Sequence, residues 1–162
     1  MQGKHKEPLN VIVSGSGEID LRLPVFTSGK VSTLIVTTTA GAKRLLKNTV
    51  PDSVEIRAIR RRTRSIPASA ILDEVCRVST GRRTLIEGGP RLLGDFYAEH
   101  LVDEQFLTLA PQIAGRDAGD RRLSLVMGQM FALRDALWGN LIDVRRGSSH
   151  LFLRYAFYEH KA

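Results

Sequence analysis

Cysteine is almost absent from the chain: Cys76 stands alone among 162 residues, so no disulfide can form within it. Its neighbours are apolar helix positions, which predicts a buried, inert thiol rather than a nucleophile. The histidines His5, His100, His150 and His160 fall at a terminus, a helix end, a turn and the other terminus, and none has metal-ligand spacing to a second His or Cys. There is no Gly-x-Ser-x-Gly elbow and no Gly-Lys-Ser/Thr phosphate loop. Nucleophilic, zinc and nucleotide-hydrolysing chemistries therefore lack their residues, and no metal is expected. Aromatics make up 6% of the chain and do not interleave with its basic cluster, Arg57, Arg60, Arg61, Arg62 and Arg64. A stacking surface for single-stranded nucleic acid is thus unsupported despite the net charge of +7. The cluster reads as a solvated strand end or as an attractor of phosphate. No apolar run approaches the ~18 residues of a membrane span. The start, Met-Gln-Gly-Lys-His-Lys-Glu, lacks a signal peptide's apolar stretch. A cytoplasmic protein with neither nucleic acid nor membrane as partner is the expectation.

What is present is a 43% hydrophobic content, enough for one compact domain with its own core, and an alternation of strand and helix signals. Leu9 to Val13 is a short apolar run suited to a strand buried on both faces. It breaks at Ser14-Gly15-Ser16-Gly17. That break reads equally as a ligand-binding strand end or as a flexible exit into a loop over Glu18 to Ser32. Thr33 to Thr38 is rich in β-branched residues and predicts a second central strand. A helix follows over Thr39 to Leu46, with Thr38 or Thr39 as its N-cap. Val54 to Ile59 alternates, as a strand nearer a sheet edge does. Ser65-Ile66-Pro67 opens a helix whose buried stripe is Ile71, Leu72, Val75, Cys76 and Val78, with Asp73, Glu74 and Arg77 on the wet side.

Thr84 to Ile86 predicts a central strand that ends at Glu87 and hands over through Gly88-Gly89-Pro90 to a helix. Leu92, Leu93, Phe96, Tyr97 and Leu101 share that helix's apolar face, opposite Arg91, Asp95 and Glu99. Glycines that can reach φ > 0 and carry no Cβ, beside a helix N-terminus, let a phosphate approach the backbone closely. They also serve as a plain tight connection. Gln105 to Ala110 predicts a strand, and Leu123 to Phe131 is ambiguous between helix and extended chain. Leu141–Arg145 and Leu151–Tyr158 flank a Gly-Ser turn as an antiparallel hairpin.

The run from Glu87 to Pro111 carries more than a pattern. Its acid, Gly-Gly-Pro, two leucines and Gly94, then Leu101-Val102-Asp103-Glu104, then Ala110-Pro111 and Gly115, resembles the C-terminal reductase domain of the riboflavin-biosynthesis deaminase-reductase proteins. That domain belongs to the dihydrofolate-reductase-like superfamily. The resemblance implies an α/β fold of three layers, α/β/α, with a mostly parallel central sheet and a C-terminal antiparallel hairpin. It implies NADPH-dependent reduction of the ribosyl group of a phosphorylated pyrimidine to its ribityl form, and a homodimer. Carried onto this chain, the cofactor contacts would be Ser14, Gly15, Thr37, Thr38, Thr39, Gly88, Gly89, Pro90, Arg91, Leu92, Leu93 and Gly94. Lys43 or Arg44 would meet a 2′-phosphate, and Glu87 would face the substrate; no catalytic residue is assigned. The family's opening strand, Ser-Leu-Asp-Gly-type segment, helix and further strand have no counterpart here. A sheet lacking a central strand would expose edges that favour pairing with another chain, and a non-catalytic remnant of the same fold is the alternative.

Overall fold

A computed structural model describes residues 8–60, 66–81, 83–115, 117, 119, 124–131 and 136–157. Arg61, Arg62, Arg64, Ser65, Arg82, Leu123 and Tyr158 lie outside the described residues, as do His5 and His160. The chain divides into two compact units, Met1–Leu85 and Ile86–Ala162.

The first unit is built on β1 (Asn10–Ser14), β2 (Thr33–Thr38) and β3 (Val54–Ile59), paired parallel in that order. Ile12, Ile35 and Ile56 stand opposite one another across the three strands. With Leu21, Phe26, Leu45 and Val54 they form one apolar cluster. Leu34 and Val36 face the other way and are also fully buried. A strand covered on both faces explains why β2 is rich in β-branched residues without an alternating polar face. Phe26 comes from α1 (Pro24–Thr27), a short helix where the sequence suggested only loop; Pro24 at its first position and the buried Phe26 account for it. Leu45 comes from α2 (Thr39–Leu45).

The third helix, α3 (Ala68–Val78), lies against β2 and buries Ala68, Ile71, Glu74 and Val75. Two expectations are corrected here. Cys76 is exposed, and Glu74 is buried, with its carboxylate 2.5 Å from Arg77 Nη1. The inward arc runs Ala68, Ile71, Glu74, Val75, a spacing of three and four residues that leaves Cys76 and Val78 outside it. A third correction concerns Thr84 to Ile86. These residues pair with no strand among the described residues, and Leu85 is 76% exposed. Three residues flanked by glycines gain few ladder bonds, and a strand exists only through its partners.

The second unit holds α4 (Pro90–Ala98) and a three-stranded antiparallel sheet. Its order is β4 (Glu104–Leu109), β6 (His150–Ala156), β5 (Asn140–Gly147). The expected hairpin is β5–β6, closed by Ser148 and Ser149 between the paired Gly147 and His150. The mixed α/β class and the parallel-then-antiparallel order are as the sequence indicated, although the strands fall in two sheets. Arg154 binds both carboxylate oxygens of Glu104 across β6 and β4, at 3.0 and 2.5 Å, and its guanidinium lies over the Phe106 ring. Buried Tyr97 of α4 donates to Gln105 Oε1 at 2.6 Å and meets Phe157 edge to face.

The helix α4 ends in a Schellman motif. Leu101 N–H reaches Phe96 O and His100 N–H reaches Tyr97 O, with His100 at φ 54° where glycine is usual. His100→Gly removes the left-handed strain of a Cβ residue, about 1 kcal/mol before the unfolded chain's added freedom is subtracted. It should raise Tm by one to a few degrees, and His100→Val should lower it, as thermal unfolding followed by circular dichroism will show. Burial pushes the Tyr97 phenol above its ordinary 10.0. A raised folded value means a contribution fully present below pH ~10 and lost as pH climbs through it. Alkaline destabilisation should coincide with phenolate absorbance and be smaller in Tyr97→Phe.

Candidate functional site

The parallel register sets Ser14 opposite Thr37, so the ends of β1 and β2 lie side by side. This brings Ser14, Gly15, Thr37, Thr38 and Thr39 together, although more than twenty residues separate the two groups in sequence. Thr38 is the N-cap of α2, accepting from Gly41 N–H at 3.1 Å. Its hydroxyl also donates to Gly15 O at 2.8 Å. Thr37 is wholly buried, and its hydroxyl donates to Ser14 O at 2.6 Å. That side chain is therefore committed to the loop and is withdrawn from any surface ligand. Ser14 Oγ accepts from Gly17 N–H at 3.1 Å. Gly15, Ser16 and Thr39 are exposed.

Two glycines let the loop lie directly on α2. Gly17 has φ 67°, and a Cβ there would stand 2.7 Å from the Gly41 carbonyl carbon. A Cβ on Gly41 would in turn run into Thr37 Oγ1. The Ser-Gly-Ser-Gly segment is thus fixed by backbone contact and is no flexible exit. Arg44, considered for a 2′-phosphate, spans Ser16 O at 3.0 Å and Glu18 Oε1 at 2.5 Å. Lys43 beside it is exposed.

In the second unit, Gly88 to Gly94 form the approach to α4 and its first turns. Gly89 is the N-cap at φ −69°, and Gly88 is likewise not in the left-handed region, so the turn does not use the conformational freedom expected of it. What Gly89 supplies is space, because no atom lies within 4 Å of where its Cβ would be. An open hollow of about 290 Å³ is lined by Gly89, Pro90, Arg91, Leu92 and Met127. Leu93 N–H makes the first helical bond, to Gly89 O, which leaves the N–H groups of Arg91 and Leu92 without a partner in the helix. Leu92 and Leu93 are half-buried, while Gly94 is buried beneath the 124–131 segment, where a Cβ would stand 2.8 Å from Met127 O. Met127 N–H also donates to Pro90 O at 3.0 Å. Sequence reasoning missed this strap, since LSLVMGQMF has no clear period. Glu87, ahead of the turn, is exposed.

The family model described as the RibD C-terminal domain matches residues 1–136. Among solved structures, RibD of Acinetobacter baumannii in form 2 is similar with a TM-score of 0.67 at 20% identity, over 90% of this chain and 36% of that one. A diaminohydroxyphosphoribosylaminopyrimidine deaminase/5-amino-6-(5-phosphoribosylamino)uracil reductase from Thermotoga maritima gives a TM-score of 0.72 at 16% identity, over 97% and 40%. The chain therefore spans well under half the length of these structures, and at such identities the likeness is one of fold. No curated protein matches the chain.

The two glycines of α4 should respond oppositely to side chains. Gly94→Ala drives a methyl into Met127 O and should destabilise by about 1–3 kcal/mol. Gly89→Ser meets open space and adds a favourable N-cap, so it should be neutral or stabilising. Urea midpoints of the two variants will test this.

Proposed function

Because the chain belongs to the RibD C-terminal domain family, we propose that it is an NADPH-dependent reductase of riboflavin biosynthesis. It would convert the ribosyl group of a phosphoribosylamino-pyrimidine to the open-chain ribityl form. The observation that carries the reading is the family match over most of the chain, together with the glycine-lined start of α4. The residues there fit a phosphorylated dinucleotide. Gly89 leaves a hollow that a Cβ would narrow, two helix N–H groups have no helical partner, and Arg91 adds a cation at its edge. When bound, NADPH supplies the hydride.

The remaining tasks fall to the chain's own side chains and backbone. Gly89, Pro90, Arg91 and Leu92 provide the wall, and the Arg91 and Leu92 N–H groups the donors, for a diphosphate favoured by the helix dipole; Gly94, covered by Met127, stands behind them. Within the first unit alone, the ends of β1 and β2 group the polar Ser14, Gly15, Thr38 and Thr39, with Thr37 buried behind them, as cofactor contacts in their own right. Glu87, exposed at the start of the Gly-Gly-Pro turn, serves as a hydrogen-bond acceptor for the substrate, and no residue is assigned proton transfer. A phosphorylated substrate accords with the excess of basic residues. A homodimer in the cytoplasm completes the proposal. One observation favours a second reading, in which the fold binds without catalysing. Thr84 to Ile86 are not held in a strand, so nothing among the described residues fixes the Glu87 carboxylate.

Titration of the purified chain with NADPH, followed by nicotinamide fluorescence, should give saturable binding below millimolar cofactor. No binding at that concentration would sink the reductase reading. Gly89→Asp sets a charge against the diphosphate and should weaken binding by about tenfold or more. An unchanged affinity would remove this turn from the site. Binding without turnover of the pyrimidine would favour the second reading.

A further inference from the structure

Three consecutive carbonyls leaving β1 are each taken by a different side chain of β2 or α2. Thr37 Oγ1 donates to Ser14 O at 2.6 Å, Thr38 Oγ1 to Gly15 O at 2.8 Å, and Arg44 Nη1 to Ser16 O at 3.0 Å. Every described peptide bond is trans, so each following N–H points away from the carbonyl before it. The N–H groups of Gly15 and Ser16 consequently turn outward from β2 and α2. Gly17 N–H folds back on Ser14 Oγ. For those of Gly15 and Ser16 no acceptor is found among the described residues, and both residues are exposed.

Arg44 also holds Glu18 Oε1 at 2.5 Å, tying down the far end of the same loop. Its charge is thereby balanced, which makes it a poor direct ligand for phosphate. Thr37 is wholly buried and has no route to a ligand. We infer that Thr37, Thr38 and Arg44 act as a clamp of positioning residues that presents the Gly15 and Ser16 N–H groups to a phosphoryl group. Adjacent outward amides at a strand end form an anion-binding concavity without any charged side chain. The identification of that phosphoryl group with a dinucleotide's rests on the function proposed above, whereas the clamp and its anion do not.

The test uses the full chain labelled with nitrogen-15, with inorganic pyrophosphate and NADPH as separate probes. Both should move the Gly15 and Ser16 amide resonances. Thr37→Val and Arg44→Gln should each weaken binding about fivefold, the worth of one hydrogen bond, while Thr37→Ser, which keeps the hydroxyl, stays within about twofold. Arg44 is exposed, so Arg44→Gln should lose affinity with Tm nearly unchanged. A merely structural residue would not show that separation. Affinity unchanged in both weakened variants, or resonance shifts that omit Gly15 and Ser16, would overturn the clamp. Pyrophosphate moving Gly15 and Ser16 without any NADPH binding would overturn the dinucleotide reading and leave the clamp standing. Failure of both probes to bind would overturn the two together.

Discussion

The register of β1 against β2 is the constraint on which the N-terminal unit depends. It sets Ser14 opposite Thr37 and Ile12 opposite Ile35, so one alignment fixes both the core beneath the sheet and the polar groups at its end. A shift by one residue would turn Ile12 and Ile35 to opposite faces and part Thr37 from the Ser14 carbonyl. Burial of Ile35, Leu45 and Phe26 is what makes the slip costly, at about 25 cal/mol per Å² of apolar area returned to water. Apolar packing at the strand centres thereby holds polar geometry at the strand ends.

The two units solve the hydrogen-bond requirement differently. In the first, only β2 is covered on both faces, whereas β1, expected to be so, is half-buried throughout; the carbonyls leaving β1 pass to threonine and arginine side chains. In the second, antiparallel pairing satisfies the backbone, and a bidentate Arg154–Glu104 pair links two strands beside an aromatic ring. Partial exposure of that pair keeps its own contribution modest, but the planar guanidinium fixes an orientation that a lysine would not.

Much of this architecture was legible in the chain because its signals are local. Three β-branched or alternating runs became β1, β2 and β3, Thr38 capped α2, and two alternating runs around Gly147-Ser148 became the hairpin. What was not legible depends on partners distant in sequence. Arg44 and Ser16 are 28 residues apart, and no periodicity links them. Thr84 to Ile86 has the composition of a strand, yet the ladder that would make it one is supplied by other residues. Cys76 looked buried because its neighbours are apolar, while the inward direction of α3 is set by the sheet it meets. Gly94 looked like part of a phosphate loop, and its present environment is the carbonyl of Met127, far along the chain. The reading of Gly88 and Gly89 joined conformational freedom to the lack of a Cβ; neither glycine takes a positive φ, while the open space at Gly89 matches the second.

The meeting of Gly17 and Gly41 has a consequence for how this chain can vary. Because a Cβ on Gly17 would enter the Gly41 backbone and one on Gly41 would enter Thr37 Oγ1, the pair constrains the path of the loop without dictating what the loop displays. Ser16, whose exposed side chain accepts from Glu18 N–H and from no other described residue, is therefore open to exchange. Diversification at that one residue would change the polar surface displayed at the strand end, while the backbone beneath it stayed in register.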